Sequence, residues 1–132
     1  TARPQWPARP KQAAWPGLTL AQLRTWPDVA PGEVLPVDLA LDAGEQAGER
    51  AVSVRLVDSQ GSVVAQQDKS VTPEMGRFPL FVPPKTAPGC YHLELVVYDP
   101  ATLQPIADTA GSDNVVVATI AVGGVPGTCK RP

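Results

Sequence analysis

Histidine is almost missing from this chain, which has one in 132 residues, and aromatic residues make up only 5% of it. With His92 as the single histidine, any Ser–His–Asp or Cys–His arrangement would have to run through that one side chain. Two cysteines and one histidine fall short of an ordinary tetrahedral zinc site unless a carboxylate joins them. No apolar run approaches the roughly 18 residues needed to cross a bilayer, so no membrane insertion is expected of this segment. The N-terminus also lacks the apolar stretch of a signal peptide. The chain starts at Thr1 rather than Met, from which we expect an excised domain or a processed product. No segment has a convincing helical period either.

What is present in quantity is proline, glycine and alternating valine and leucine. There are 16 prolines and 11 glycines, yet 43% of the residues are hydrophobic, too many for a disordered chain. Many turns between short valine-rich runs imply an all-β sandwich or barrel. The length suits one domain that buries its own core without a metal. The net charge of −2 hides an asymmetry. Arg3, Arg9, Lys11 and Arg24 have no acid among them, whereas every acid lies between Asp28 and Asp113. The expected folded part is therefore acidic, which argues against a nucleic-acid partner.

Residues 1–17 read as a Pro/Trp-rich arm or linker, because Pro4, Pro7, Pro10 and Pro16 favour extended geometry without ladders. All three tryptophans precede a proline: Trp6-Pro7, Trp15-Pro16 and Trp26-Pro27. The domain proper is expected over 18–123, with a tail over 124–132. Its first strand is expected from Leu18 to Thr25, with Leu18, Leu20 and Gln22 on one side. Leu35, Val37, Leu39 and Leu41 mark the second strand, in which Pro36 predicts a free edge or a bulge. Asp42 to Arg50 reads as a loop.

Val52, Val54 and Leu56 mark a third strand, turned by Asp58-Ser59-Gln60-Gly61 into a fourth over 62–66. Residues 67–76 read as irregular. Phe78, Leu80 and Val82, interrupted by Pro79, mark an edge strand. The segment from Cys90 to Tyr98 has the clearest period of two. Tyr91, Leu93, Leu95 and Val97 fall on one face, and Cys90, His92, Glu94 and Tyr98 on the other. Asp99 to Gly111 reads as a long loop with Leu103 and Ile106 tucked into it, and 114–122 as the last strand. About seven strands with long corner loops predict an Ig-like or fibronectin-like antiparallel β-sandwich. Guarded edges at Pro36 and Pro79 predict a monomer. Tyr91, near the start of the sixth strand, stands where such sandwiches carry a tyrosine corner.

Three of these stretches together resemble a known family. They are Pro31-Gly32-Glu33 before a leucine-alternating strand, the run Val54-Arg55-Leu56-Val57-Asp58-Ser59-Gln60-Gly61-Ser62-Val63-Val64-Ala65-Gln66, and Pro88-Gly89-x-Tyr91-x-Leu93 running to Tyr98-Asp99-Pro100. In order and spacing, from Leu18 to Val122, the chain resembles the C-terminal β-sandwich module of bacterial membrane glycosyltransferases of the polyprenyl-phosphate-mannose type. It departs where that module often has a tryptophan, here Leu41-Asp42-Ala43, and it lacks a Trp-x-Pro-Gly-Glu turn before Phe78. The resemblance implies a non-catalytic, extracytoplasmic accessory module. Such a module would bind a glycan or acceptor, or hold the catalytic membrane part of the same chain. The competing expectation is a free-standing secreted binder or proteinase-inhibitor-like sandwich acting through its loops. An enzyme ranks third.

Few residues invite chemistry. His92 shares a strand face with Cys90 and Glu94, but an exposed strand histidine is the simpler reading. Cys90 and Cys129 are the only cysteines. If the last strand pairs antiparallel with the strand from Cys90, the tail could bring Cys129 within reach. A bridge would imply an oxidising compartment, and two unpaired thiols are the alternative. Asp108, Asp113 and Asn114 could offer oxygens to calcium, but such runs are more often plain turns. Asp42, Glu45 and Glu49 read the same way. We therefore expect no metal, no cofactor and no catalytic residue. Trp6, Trp15, Trp26 and Tyr98 could stack on sugar rings. For Trp15 and Trp26 the competing expectation is that they plug one end of the sandwich.

Overall fold

A computed structural model describes residues 6–7, 13–43, 50–72, 76–124 and 129. Among them every regular element is a strand. Seven strands have six residues or more: β3 (Leu18–Thr25), β5 (Val34–Ala43), β6 (Ala51–Val57), β7 (Val63–Ser70), β8 (Gly76–Phe81), β9 (Gly89–Tyr98) and β10 (Val115–Val122). Three are two-residue pieces: β1 (Trp6–Pro7), β2 (Ala14–Trp15) and β4 (Asp28–Val29). They form two sheets, an Ig-like β-sandwich. The first sheet runs β1-β3-β5-β8, with β2 also paired to β3, and the second runs β4-β10-β9-β6-β7. All pairs are antiparallel except β4 with β10.

The alternating residues do what their period demands. Leu35, Val37, Leu39 and Leu41 from β5 face Val52, Val54 and Leu56 from β6 and Leu93, Leu95 and Val97 from β9, all buried. Interdigitation of two such inner faces makes the core of a sandwich. Chain direction is set by proline and glycine. At Trp26-Pro27 the chain leaves the first sheet, and the Pro27 carbonyl accepts from Ala121 N–H at 3.0 Å, so β4 starts in the second. The turn at Ala30-Pro31-Gly32-Glu33 returns it. Gly32 sits at φ 88°, Glu33 N–H bonds the Ala30 carbonyl, and the Glu33 side chain accepts from Ala30 N–H at 2.7 Å. Proline then glycine at the central positions is the chemistry of a type II turn.

The tyrosine corner is present. Tyr91, 6% exposed, donates its hydroxyl to the Ala87 carbonyl at 2.6 Å and so ties the start of β9 to the loop before it.

Several details depart from the sequence expectations, each for a physical reason. In β3, Gln22 points out rather than in, because a register shift between Leu20 and Gln22 against β5 reverses the alternation and buries Leu23 and Thr25 instead. Pro36 is not on an edge strand, since β5 lies between β3 and β8. The missing N–H is tolerated because pairing with β3 stops at Val37 and because Pro36 faces Pro79 across β8, where neither ring has a donor to lose. Residues 67–70, expected to be irregular, continue β7 opposite Ala51–Val54. Their polarity reflects an edge strand with only one neighbour. Leu103 is not tucked in but 70% exposed, whereas Ile106 does pack against the core. The segment read as an arm enters the fold at its end: Ala13 and Trp15 are core residues. The acidic loop positions Glu45 and Glu49 lie outside the described residues, as does the tail around Cys129.

Candidate functional site

The residues singled out for catalysis are not assembled for it. His92 is exposed on the outer face of β9, opposite Val57 and Thr119. Cys90 is bonded to Cys129 across a Cα–Cα distance of 5.6 Å, so it offers no thiolate to His92. Asp108 is used by its own turn, its carboxylate accepting from the backbone N–H groups of Ala110 at 3.0 Å and Ser112 at 2.7 Å. No group of three or more His, Cys, Asp or Glu side chains placed to hold a metal ion occurs among the described residues.

The stacking candidates separate. Trp15 is 2% exposed, so its ring belongs to the core and offers no face to a ligand; this corrects the expectation of a stacking role. Its ring N–H is buried without a hydrogen-bond partner among the described residues, while the side chain of Trp6 lies outside them. Trp26 is half-buried and packs against the core at the point where the chain changes sheets. Tyr98 lines a solvent-facing concavity.

That concavity is a groove of about 290 Å³ on the outer face of the second sheet, at the end where β9 leaves and β10 enters. Strand alternation places its floor. Val52, Val54 and Leu56 point to the core, so Ser53 and Arg55 point out. Across β7, Ser53 opposes Asp68 and Arg55 opposes Gln66. Across β9, Ala51 opposes Tyr98 and Ser53 opposes Val96. Three strands thus bring Asp68 into reach of four side chains. Its carboxylate accepts from Ser53 Oγ at 2.8 Å, Gln66 Nε2 at 2.9 Å and Tyr98 Oη at 2.9 Å. Arg55 Nε donates to Ser53 Oγ at 3.0 Å, and its terminal nitrogens make no protein hydrogen bond among the described residues.

Partial burial acts to raise the Asp68 pKa, but the bonds from Gln66, Ser53 and Tyr98 and the Arg55 charge outweigh it, and the net shift is downward. The Tyr98 hydroxyl is raised, first by burial and then by the Asp68 carboxylate it bonds. Asp68 is therefore a fixed anion that orients its neighbours.

The rim comes from the loop after β9. Asp99-Pro100 ends the strand, Ala101 N–H bonds the Asp99 side chain at 2.8 Å, and Leu103 N–H bonds the Asp99 carbonyl at 2.7 Å. The loop then returns, with Pro105 bridging to Tyr98 and Ile106 N–H bonding the Val97 carbonyl. At the tip Leu103 has φ 62°, the only non-glycine residue at positive φ among those described. That conformation costs a leucine about 1–2 kcal/mol. Leu103 and Pro105 line the groove beside Tyr98, and Asp113 and Asn114 close it from the β10 side.

Arg55, Asp68 and Leu103 were not legible as site residues. Arg55 and Ser53 carry the correct alternation, but Asp68 sits in a strand without apolar periodicity, and a turn leucine gives no signal of its exposure.

Comparison with known proteins gives a single clear answer at the level of sequence. No protein-family model and no curated protein matches this chain. Among solved structures, the CARDB domain of a Pyrococcus furiosus protein, solved in complex with di-metal ions, is similar to it. The identity is 16%, 85% of this chain and 90% of that chain are covered, and the TM-score is 0.49. At that similarity nothing of the other domain's metal binding passes to this chain.

Proposed function

We propose that this domain is a non-catalytic, extracytoplasmic accessory module of a membrane glycosyltransferase that engages a glycan or acceptor through the Tyr98 groove. The observation that carries the reading is the groove itself: an accessible aromatic ring, held by Asp68, beside a guanidinium whose terminal nitrogens have no protein partner among the described residues. A concave surface with an apolar wall and a few fixed polar groups is the common form of a small-ligand site. The Cys90–Cys129 bridge supports the compartment, because disulfides persist where the surroundings are oxidising. No helix among the described residues is long and apolar enough to cross a membrane, so the anchor in this reading is another part of the gene product.

A glycan array with the intact domain and with Tyr98→Ala tests the binding half. Signal on mannose-containing or other neutral glycans that disappears in Tyr98→Ala is expected, and a domain that binds nothing on the array would end this reading. The full gene tests the other half. Membrane-spanning sequence ahead of Thr1 is expected, whereas a signal peptide followed by this domain alone would favour the free-standing secreted binder.

A further inference from the structure

Leu103 combines three properties that seldom coincide. It is apolar, it is 70% exposed, and its backbone is left-handed. The turn needs a residue that tolerates positive φ, which glycine or asparagine does at lower cost. Nor does the core need the side chain, because Ile106 fills that role from the same loop. A strained residue whose side chain serves neither the turn nor the core is placed for something outside the fold. Leu103 lines the same groove as Tyr98.

The polar groups there narrow the ligand. Arg55 presents donors, while Asp113 and Asn114 present acceptors and an amide. Glu94, already bonded by Asn114 at 3.1 Å, and Asp68 add negative charge beside a single cation. An anionic ligand would meet the two lining carboxylates, Asp68 and Asp113, against one guanidinium, and a cationic one would meet Arg55 on the floor. A neutral ligand whose groups both donate and accept suits every wall, and hydroxyls do both.

We propose that Leu103 is the second apolar wall of this site and that, with the Tyr98 ring, it grips the apolar faces of one neutral pyranose, whose hydroxyls bond Arg55, Asp113 and Asn114. This rests on the reading of the groove as a glycan site and adds the ligand class and the residue that grips it. Leu103 is a ligand contact bought with backbone strain, so its replacement separates binding from stability.

The test is a titration of the ¹⁵N-labelled domain with the methyl glycosides of mannose, glucose and galactose, and with methyl glucuronide as the acidic comparator. Wild type, Leu103→Asn and Tyr98→Ala are compared, and thermal melts are recorded in parallel. At least one neutral glycoside is expected to shift the amides of Val96, Tyr98 and Leu103, and glucuronide to bind more weakly. Leu103→Asn is expected to weaken the neutral glycoside about five- to tenfold, the loss of one modest apolar contact, with an unchanged or higher melting temperature. Wild-type affinity in Leu103→Asn, or a lowered melting temperature, would overturn the role of Leu103 while leaving the groove as a glycan site. Preference for glucuronide would overturn the neutral ligand class. Absence of shifts with every glycoside, or binding unaffected in Tyr98→Ala, would remove the glycan reading and this inference together.

Discussion

Tyr91 and Asp68 show how much single side chains do on a sheet of otherwise repetitive residues. The Tyr91 hydroxyl donates to the Ala87 carbonyl in a half-buried setting, from a ring that is itself buried. Tyr91→Phe keeps the ring and leaves that carbonyl short of a donor, so stability should fall by about 1 kcal/mol in urea denaturation, with no change of fold. Asp68 carries a pH dependence. Its folded pKa lies below the ordinary 3.8, so its contribution is present above that value and is lost as pH falls through the lower folded value. Acid unfolding followed by fluorescence should therefore show a loss of stability below about pH 4 that Asp68→Asn flattens. The Tyr91 position was readable from sequence, because the corner residue follows a Pro-Gly turn at the head of a clear strand. Asp68 was not, because its importance comes from partners on two other strands.

At the scale of elements, the turns carry the most sequence information and the edges the least. The hairpin at Asp58-Ser59-Gln60-Gly61 was legible from its residue types. In the structure Gly61 has φ 85°, and the Asp58 side chain accepts from the N–H groups of Gln60 at 2.9 Å and Ser62 at 2.8 Å. Nothing lies within 4 Å of a Cβ added at Gly61, so only the backbone would resist a side chain there. Gly61→Ala should cost about 1 kcal/mol, read as a lowered denaturation midpoint with an unchanged slope. Strand β7 shows the opposite case. Residues 67–70 pair along their whole length with β6, yet their side chains are mostly exposed, so no apolar rhythm announces them. The bulge in β3 is equally silent in the sequence, since the residue that slips is decided by the register with β5.

For the whole molecule, the disulfide fastens the chain beyond β10 back to the head of β9, across 39 positions of sequence. Replacing both cysteines with serine should lower stability by about 4 kcal/mol on the chain-entropy account, measured by guanidinium denaturation against the oxidised wild type. The loss should appear with the fold intact, because Cys90 is exposed on the outer face of β9 and is not part of the core cluster.

The fold class, the faces of β5, β6 and β9, the main turns and the corner tyrosine are all written in the residue pattern. Each of these is local: a period of two, or a proline or glycine at a turn position, acts through neighbours along the chain. It takes the folded chain to make Trp15 core and Tyr98 accessible, to join the two cysteines, and to gather Arg55, Asp68 and Leu103 at one groove. Those facts depend on strand register and loop path between residues far apart in sequence, and no local pattern encodes them.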